Sequence, residues 1–79
     1  MALIDVGRVC RKTQGRDAGG FCVVVDKPQE GRVLVDGRDV RRKKVSLSHV
    51  EPTGIVVGVK KGADTVAVVS ALKEGKLIK

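Results

Sequence analysis

Few residues in this sequence are equipped for chemistry. His49 is the single histidine, and Ser46 and Ser48 precede it in the segment SLSHVEP. A serine nucleophile and its histidine base must be held within hydrogen-bond reach by separate elements, with a third group orienting the base. VSLSHV (45–50) predicts a strand, on which Ser48 and Ser46 both face away from His49. No catalytic site is therefore expected. The segment Gly15-Arg16-Asp17-Ala18-Gly19-Gly20 has the glycines of a phosphate loop. It lacks the Lys-Ser/Thr ending, and a strand follows it rather than a helix N-terminus. A tight loop with left-handed backbone accounts for those glycines and leaves Arg16 exposed at its tip. Cys10 and Cys22 stand twelve apart with no second pair, and only His49 could join them, too few donors for a zinc site. They read as small buried apolar side chains in a reducing compartment. No metal, cofactor or small-molecule substrate is expected.

The remaining candidates are cations. Sixteen Lys and Arg oppose nine Asp and Glu, a formal charge of +7, and the excess is uneven. Residues 1–37 carry a net +1, residues 38–44 (RDVRRKK) a net +4, and residues 45–79 a net +2. Four consecutive cations, Arg41-Arg42-Lys43-Lys44, cannot all point outward from an internal strand, so part of the run must be loop or edge. They repel one another unless an anion neutralises them, and nucleic-acid phosphate is the commonest such partner. An anionic lipid surface fits less well, because no basic amphipathic helix accompanies the run. His49 is read first as structural and second as a hydrogen-bond donor to RNA. Phe21 is the only aromatic residue. That excludes aromatic-walled pockets for proline-rich or methylated-lysine peptides, and it excludes aromatic platforms for splayed bases. Recognition of structured RNA by charge and shape survives these exclusions.

The elements that must position these cations are short strands. VGRVCRK (6–12) alternates loosely, TQGRDAGG reads as a loop, and FCVVVDK (21–27) reads as a strand buried on both faces. Pro28-Gln29-Glu30-Gly31 is a tight turn with positive φ expected at Gly31, and RVLVD (32–36) completes a hairpin over 21–36. Asp36-Gly37 opens a further turn. Glu51-Pro52-Thr53-Gly54 is expected to break the chain, with IVVGV (55–59) a short peripheral strand. GADTVAVVSALKEG is open to a strand reading through TVAVV, but a helix is favoured. Asp64 would cap it, Gly75 would end it, and Val66, Val69 and Leu72 would form its apolar face. A small β-barrel of about five strands with a C-terminal helical appendage results. No apolar run reaches the length of a membrane span, and MALIDVGRVCRK is not a signal peptide, so the cytoplasm is expected.

VGRVC (6–10), GRDAG (15–19), CVVVD (22–26), VLVDG (33–37), RRKKV (41–45) and SHVEPT (48–53) together resemble the archaeal and eukaryotic large-subunit ribosomal protein family L-fourteen-e. The strand–GRDAG–strand portion resembles a KOW motif, with Gly19 as its hallmark glycine, and the match covers about residues 3–63. The resemblance implies a mostly β fold. An SH3-like KOW barrel would span 1–59, and a C-terminal appendage over 60–79 would be packed on it as a helix. It also implies a structural constituent of the large ribosomal subunit, not an enzyme, with ribosomal RNA and neighbouring ribosomal proteins as partners. The matching basic positions would be Arg8, Arg11, Lys12, Arg16, Arg38, Arg41, Arg42, Lys43 and Lys44, with His49 as a further contact. Residues 64–79 are Val-rich where the family usually has a charged helix. The absence of a long basic tail favours an archaeal over a eukaryotic source. A KOW module of a transcription or RNA-processing factor is the alternative, although such factors normally join the barrel to a second domain.

Overall fold

The computed structural model describes residues 4–16, 18–38 and 40–75. Asp17 of the GRDAG loop, Asp39 of the basic segment, residue 3 of the resemblance and residues 76–79 of the appendage lie outside them. Five strands form, β1 (Arg8–Lys12), β2 (Phe21–Val24), β3 (Arg32–Asp36), β4 (Lys43–Ser46) and β5 (Val50–Val56), followed by helix α1 (Thr65–Glu74). All pairings are antiparallel, and the sheet order is β4-β3-β2-β1-β5. β4 and β5 therefore stand at opposite edges, yet only the 3-10 helix Leu47–His49 joins them. Four strand spacings in a flat sheet would separate those edges by about 19 Å, whereas three 3-10 residues rise only about 6 Å. The sheet must curl until its edges meet at this helix, which gives a barrel-like fold.

Period-two alternation divides the sheet's side chains between two cores. Cys10, Cys22, Val24, Val33, Val35, Val45 and Val50 fill the concave side, contributed by all five strands. Val9, Val23 and Val25 point the other way and meet Val68 and Leu72 of α1. β2 is thus buried on both faces, as its unbroken apolar run predicts.

Three expectations are corrected. The strand expected over 45–50 ends at Ser46, whose hydroxyl accepts the Ser48 N–H at 3.3 Å and starts the 3-10 helix. Such local serine bonds compete with the sheet ladder, and the curl needs a corner at this point. Glu51-Pro52-Thr53-Gly54 does not break the chain, because β5 runs through it and IVVGV is not a separate strand. Pro52 lies opposite Cys10 on an edge strand, where a residue without an N–H is tolerated. The pairing register shifts between Arg8 and Cys10, and the Thr53 hydroxyl bridges the irregularity by donating to the Val9 carbonyl at 2.7 Å. The helix forms as expected, with the Asp64 carboxylate accepting the Ala67 N–H at 2.9 Å and Gly75 at its C-terminal end. Its buried face, however, is Val68 and Leu72, an i, i+4 pair, while Val66 is 78% exposed. The face is set by docking, since Val68 and Leu72 pack against Val9, Val23 and Val25, while the Thr65 hydroxyl donates to Asp36 at 2.6 Å.

Candidate nucleic-acid interface

The ten positions singled out as contacts fall into two groups once folded. Three cations are tied to partners within the protein. Lys12 is only 4% exposed, and its ammonium donates to the Gln14 carbonyl at 2.8 Å. The backbone closes the same loop from both sides, Lys12 N–H to the Gly20 carbonyl at 2.9 Å and Gly19 N–H to the Lys12 carbonyl at 2.7 Å. Gly19, the hallmark position, makes that bond with φ at +89°, a conformation other residues rarely adopt. Lys12 thereby braces the loop that carries Arg16. Arg8 is half-buried, and its guanidinium donates to the Thr53 carbonyl at 3.1 Å, across the register shift between β1 and β5.

Arg42 is the third. Its guanidinium meets Asp36 Oδ2 at 3.1 Å, the Ala63 carbonyl at 2.6 Å and the Gly62 carbonyl at 3.4 Å. Asp36 is 1% exposed and carries the other half of this junction. Its Oδ1 accepts the Gly37 N–H at 2.8 Å, and its Oδ2 also accepts the Thr65 hydroxyl. A buried carboxylate needs such partners, because desolvation would otherwise outweigh its gains. One acid thus holds together the turn after β3, the basic run and the start of α1.

Arg11, Arg16, Arg38, Arg41, Lys43 and Lys44 are exposed, and His49 is half-buried. Arg38 and Arg41 flank Val40, a fully buried core residue that anchors the connection between β3 and β4. Lys43 and Lys44 lie on β4 at the sheet edge, opposite Val35 and Leu34, so they point to opposite faces. The run is therefore half loop and half edge strand, as the spacing of its charges requires. Arg16 sits at its loop tip. His49 ends the 3-10 helix, and its carbonyl accepts the Thr13 N–H at 2.9 Å, which joins that corner to the base of the Arg16 loop. Arg11 lies on β1 between Phe21 and Glu51, on the far side of the sheet order from β4. The cations thus surround the barrel and do not form one stripe.

Among the exposed cations outside those ten positions, Arg32 stands next to one of them. Arg32 opens β3 opposite Ser46, which puts its side chain on the same face as Lys44. The alternation of RVLVD carries this signal, since Arg32 and Leu34 must oppose the inward Val33 and Val35. Arg32, Lys44 and Gln29 line a cleft of about 350 Å³ beside the hairpin tip.

The other reactive groups are quiet. Cys10 and Cys22 are directly opposed across β1 and β2, both free and fully buried. Burial pushes the Cys10 thiol up to about 11 and the Cys22 thiol up to about 12, the latter helped by Cys10 beside it. Neutral thiols are poor nucleophiles and poor metal ligands. The Ser46 and Ser48 hydroxyls pair with each other at 2.9 Å. Among the described residues, no helix is long and apolar enough to cross a membrane.

No family model matches the chain. Curated relatives do. The chain is 45% identical over 82 residues to the large ribosomal subunit protein eL14 of Metallosphaera sedula, covering 99% of this chain and 85% of that protein. To the protein of the same name from Methanococcus vannielii it is 45% identical over 78 residues, 99% of this chain and all of the other. To that of Aeropyrum pernix it is 43% identical over 79 residues, 95% of this chain and 79% of the other. All three sources are archaea.

Proposed function

Since the chain belongs to the eL14 family of large ribosomal subunit proteins, we propose that it binds large-subunit ribosomal RNA through backbone phosphates and helix shape, in the cytoplasm. Its role is that of a structural constituent of the subunit, with neighbouring ribosomal proteins as further partners. The observation that carries the RNA contact is the division of the cations. Arg16, Arg41 and Lys44 are exposed with no protein partner among the described residues, while Arg42 and Lys12 are committed to partners within the protein. Arg38, Lys43 and Arg11 add exposed charge around the same barrel, and Arg8 and His49 stand at its seams. We assign phosphate contact to the exposed set and a bracing role to Arg8, Lys12 and Arg42. Cations at different heights on a rigid barrel suit the phosphates of a folded RNA, and each contact releases condensed counterions.

The test is the salt dependence of binding to large-subunit ribosomal RNA. In the variant carrying Arg41→Ala and Lys44→Ala, the slope of log affinity against log salt should flatten by about 0.7–0.9 for each phosphate no longer neutralised. The unfolding midpoint should stay where it is. An unchanged slope would remove both residues from the interface.

A further inference from the structure

The hairpin tip carries a feature that phosphate binding does not explain. Gln29 and Arg32 exchange both backbone hydrogen bonds, N–H to carbonyl at 2.8 and 2.9 Å, around the two residues Glu30 and Gly31. Both central residues have positive φ, +51° at Glu30 and +77° at Gly31, which makes this a type I′ turn. Asn, Asp or Gly normally takes the first of those positions, and Glu30 is the only described residue other than glycine with positive φ. Backbone held in such a region points to a use for the side chain placed there. The tip is also fixed from below, since the Gly31 carbonyl accepts the Leu47 N–H at 3.0 Å.

This turn organises a set of uncommitted polar groups. Gln29 and Arg32 are directly paired and share a face. Lys44 lies diagonal to Arg32 across the β3–β4 ladder, at a typical spacing of about 7–8 Å. With Glu30 they line the cleft of about 350 Å³, and a smaller recess continues from it to Leu34. Its volume lies at the low end of the roughly 300–1,000 Å³ of small-ligand pockets. Among the described residues, the side chains of Gln29, Glu30, Arg32 and Lys44 have no protein partner. A bare phosphate site would not place a carboxylate on its rim. The mixture of an Arg fork, a carboxylate, an amide and an ammonium matches a ligand that presents acceptors, donors and a phosphate together.

We infer that this cleft holds one unstacked nucleotide of RNA, with guanine as the base it fits best. Lys44 takes the phosphate as a point charge. Arg32 donates through its planar fork to the acceptor edge of the base. Glu30 accepts from the base N–H groups. The inference rests on the RNA-binding reading above and adds base recognition to it.

The isotopically labelled full-length chain is titrated separately with guanosine monophosphate, uridine monophosphate and inorganic phosphate, following resonances of Gln29 to Leu34 and Lys44. Guanosine monophosphate should shift these and saturate at about tenfold lower concentration than the uridine compound, as expected for a bidentate base contact. Arg32→Lys, which keeps the charge and loses the planar fork, should abolish that preference and leave the rest of the spectrum intact. Equal responses to all three probes, or none at 29–34, overturn the inference. Ribosomal RNA binding by the unaltered chain, measured in parallel, separates the two failures. A silent cleft with RNA binding intact overturns base recognition alone, and loss of RNA binding overturns the wider proposal.

Discussion

Arg41 and Arg42 are neighbours in sequence and opposites in structure. Arg41 is exposed and has no partner among the described residues, whereas Arg42 reaches Asp36 and two carbonyls of the segment before α1. Lys12 and Arg16 repeat the contrast in the GRDAG loop, one buried against the Gln14 carbonyl and the other at the exposed tip. In each case a cation bonded to the fold braces the segment that presents a free cation beside it. Charge near RNA is useful only if its position is fixed, because flexible cations lose ordering entropy when they bind. A small barrel with few apolar residues to spare thus spends part of its basic set on scaffolding.

Asp36→Ala gives the largest expected break in this arrangement. It leaves the Arg42 guanidinium without its carboxylate and the Gly37 N–H and Thr65 hydroxyl without their acceptor. Because the Arg42 side chain is still 33% exposed, the cost falls below that of a fully buried pair, to about 3 kcal/mol, a large part of the stability of a domain this size. Urea unfolding should show that loss. Arg42→Ala should fall between this and Arg41→Ala, which stays within about 0.5 kcal/mol of the unaltered protein. Equal stability for the Arg41 and Arg42 variants would dissolve the distinction.

The same concave interior that holds Lys12 against a carbonyl keeps the two thiols neutral, and this predicts a pH effect. An unfolded chain ionises its thiols near 9.0, while the folded Cys10 and Cys22 do so only near 11 and 12. Because the folded values are raised, this stability is complete below pH 9. Above pH 9 the unfolded state releases protons that the folded state retains, and stability falls. The slope is about 1.4 kcal/mol per pH unit for each thiol. Unfolding in urea at pH 8, 9.5 and 10.5 reads it, and Cys22→Ala should reduce the slope by about half. An equal slope in that variant would show that other groups carry the loss.

Much of the scaffold is legible in local chemistry. The hairpin over 21–36 is announced by a β-branched run, a turn tetrad and a second alternating run, and it forms with β3 at 32–36. Asp64 and Gly75 mark both ends of α1 because capping is decided within a few residues. What the sequence hides is set by contacts between distant segments. Pro52 breaks strands in general, but β5 lies on an edge, a fact of sheet order that no local pattern reveals. Val66, Val69 and Leu72 read as an apolar face, yet the helix docks on Val9, Val23 and Val25 through Val68 and Leu72 and leaves Val66 exposed. The charge of 38–44 is visible at once, but the assignment of Arg42 to Asp36, rather than to a ligand, depends on where α1 docks. Alternation along RVLVD turns Arg32 outward, but what it faces is hidden until β4 brings Lys44 alongside.

Lys12 and Arg16 offer the subtlest test, because their loop separates bracing from contact with the smallest change in stability. Lys12→Ala removes the ammonium from Gln14 and should cost about 1.5–3 kcal/mol, the range for a hydrogen bond to a charged group. Arg16→Ala should leave stability within about 0.5 kcal/mol. In ribosomal RNA binding, Arg16→Ala should flatten the salt slope by about 0.7–0.9, the share of one phosphate. Lys12→Ala should weaken binding at every salt concentration while leaving the slope nearly unchanged, because Arg16 still meets its phosphate but must first be ordered. A flattened slope for Lys12→Ala would mean that the buried ammonium itself reaches RNA, and the division between bracing and contacting cations would then fail at this loop.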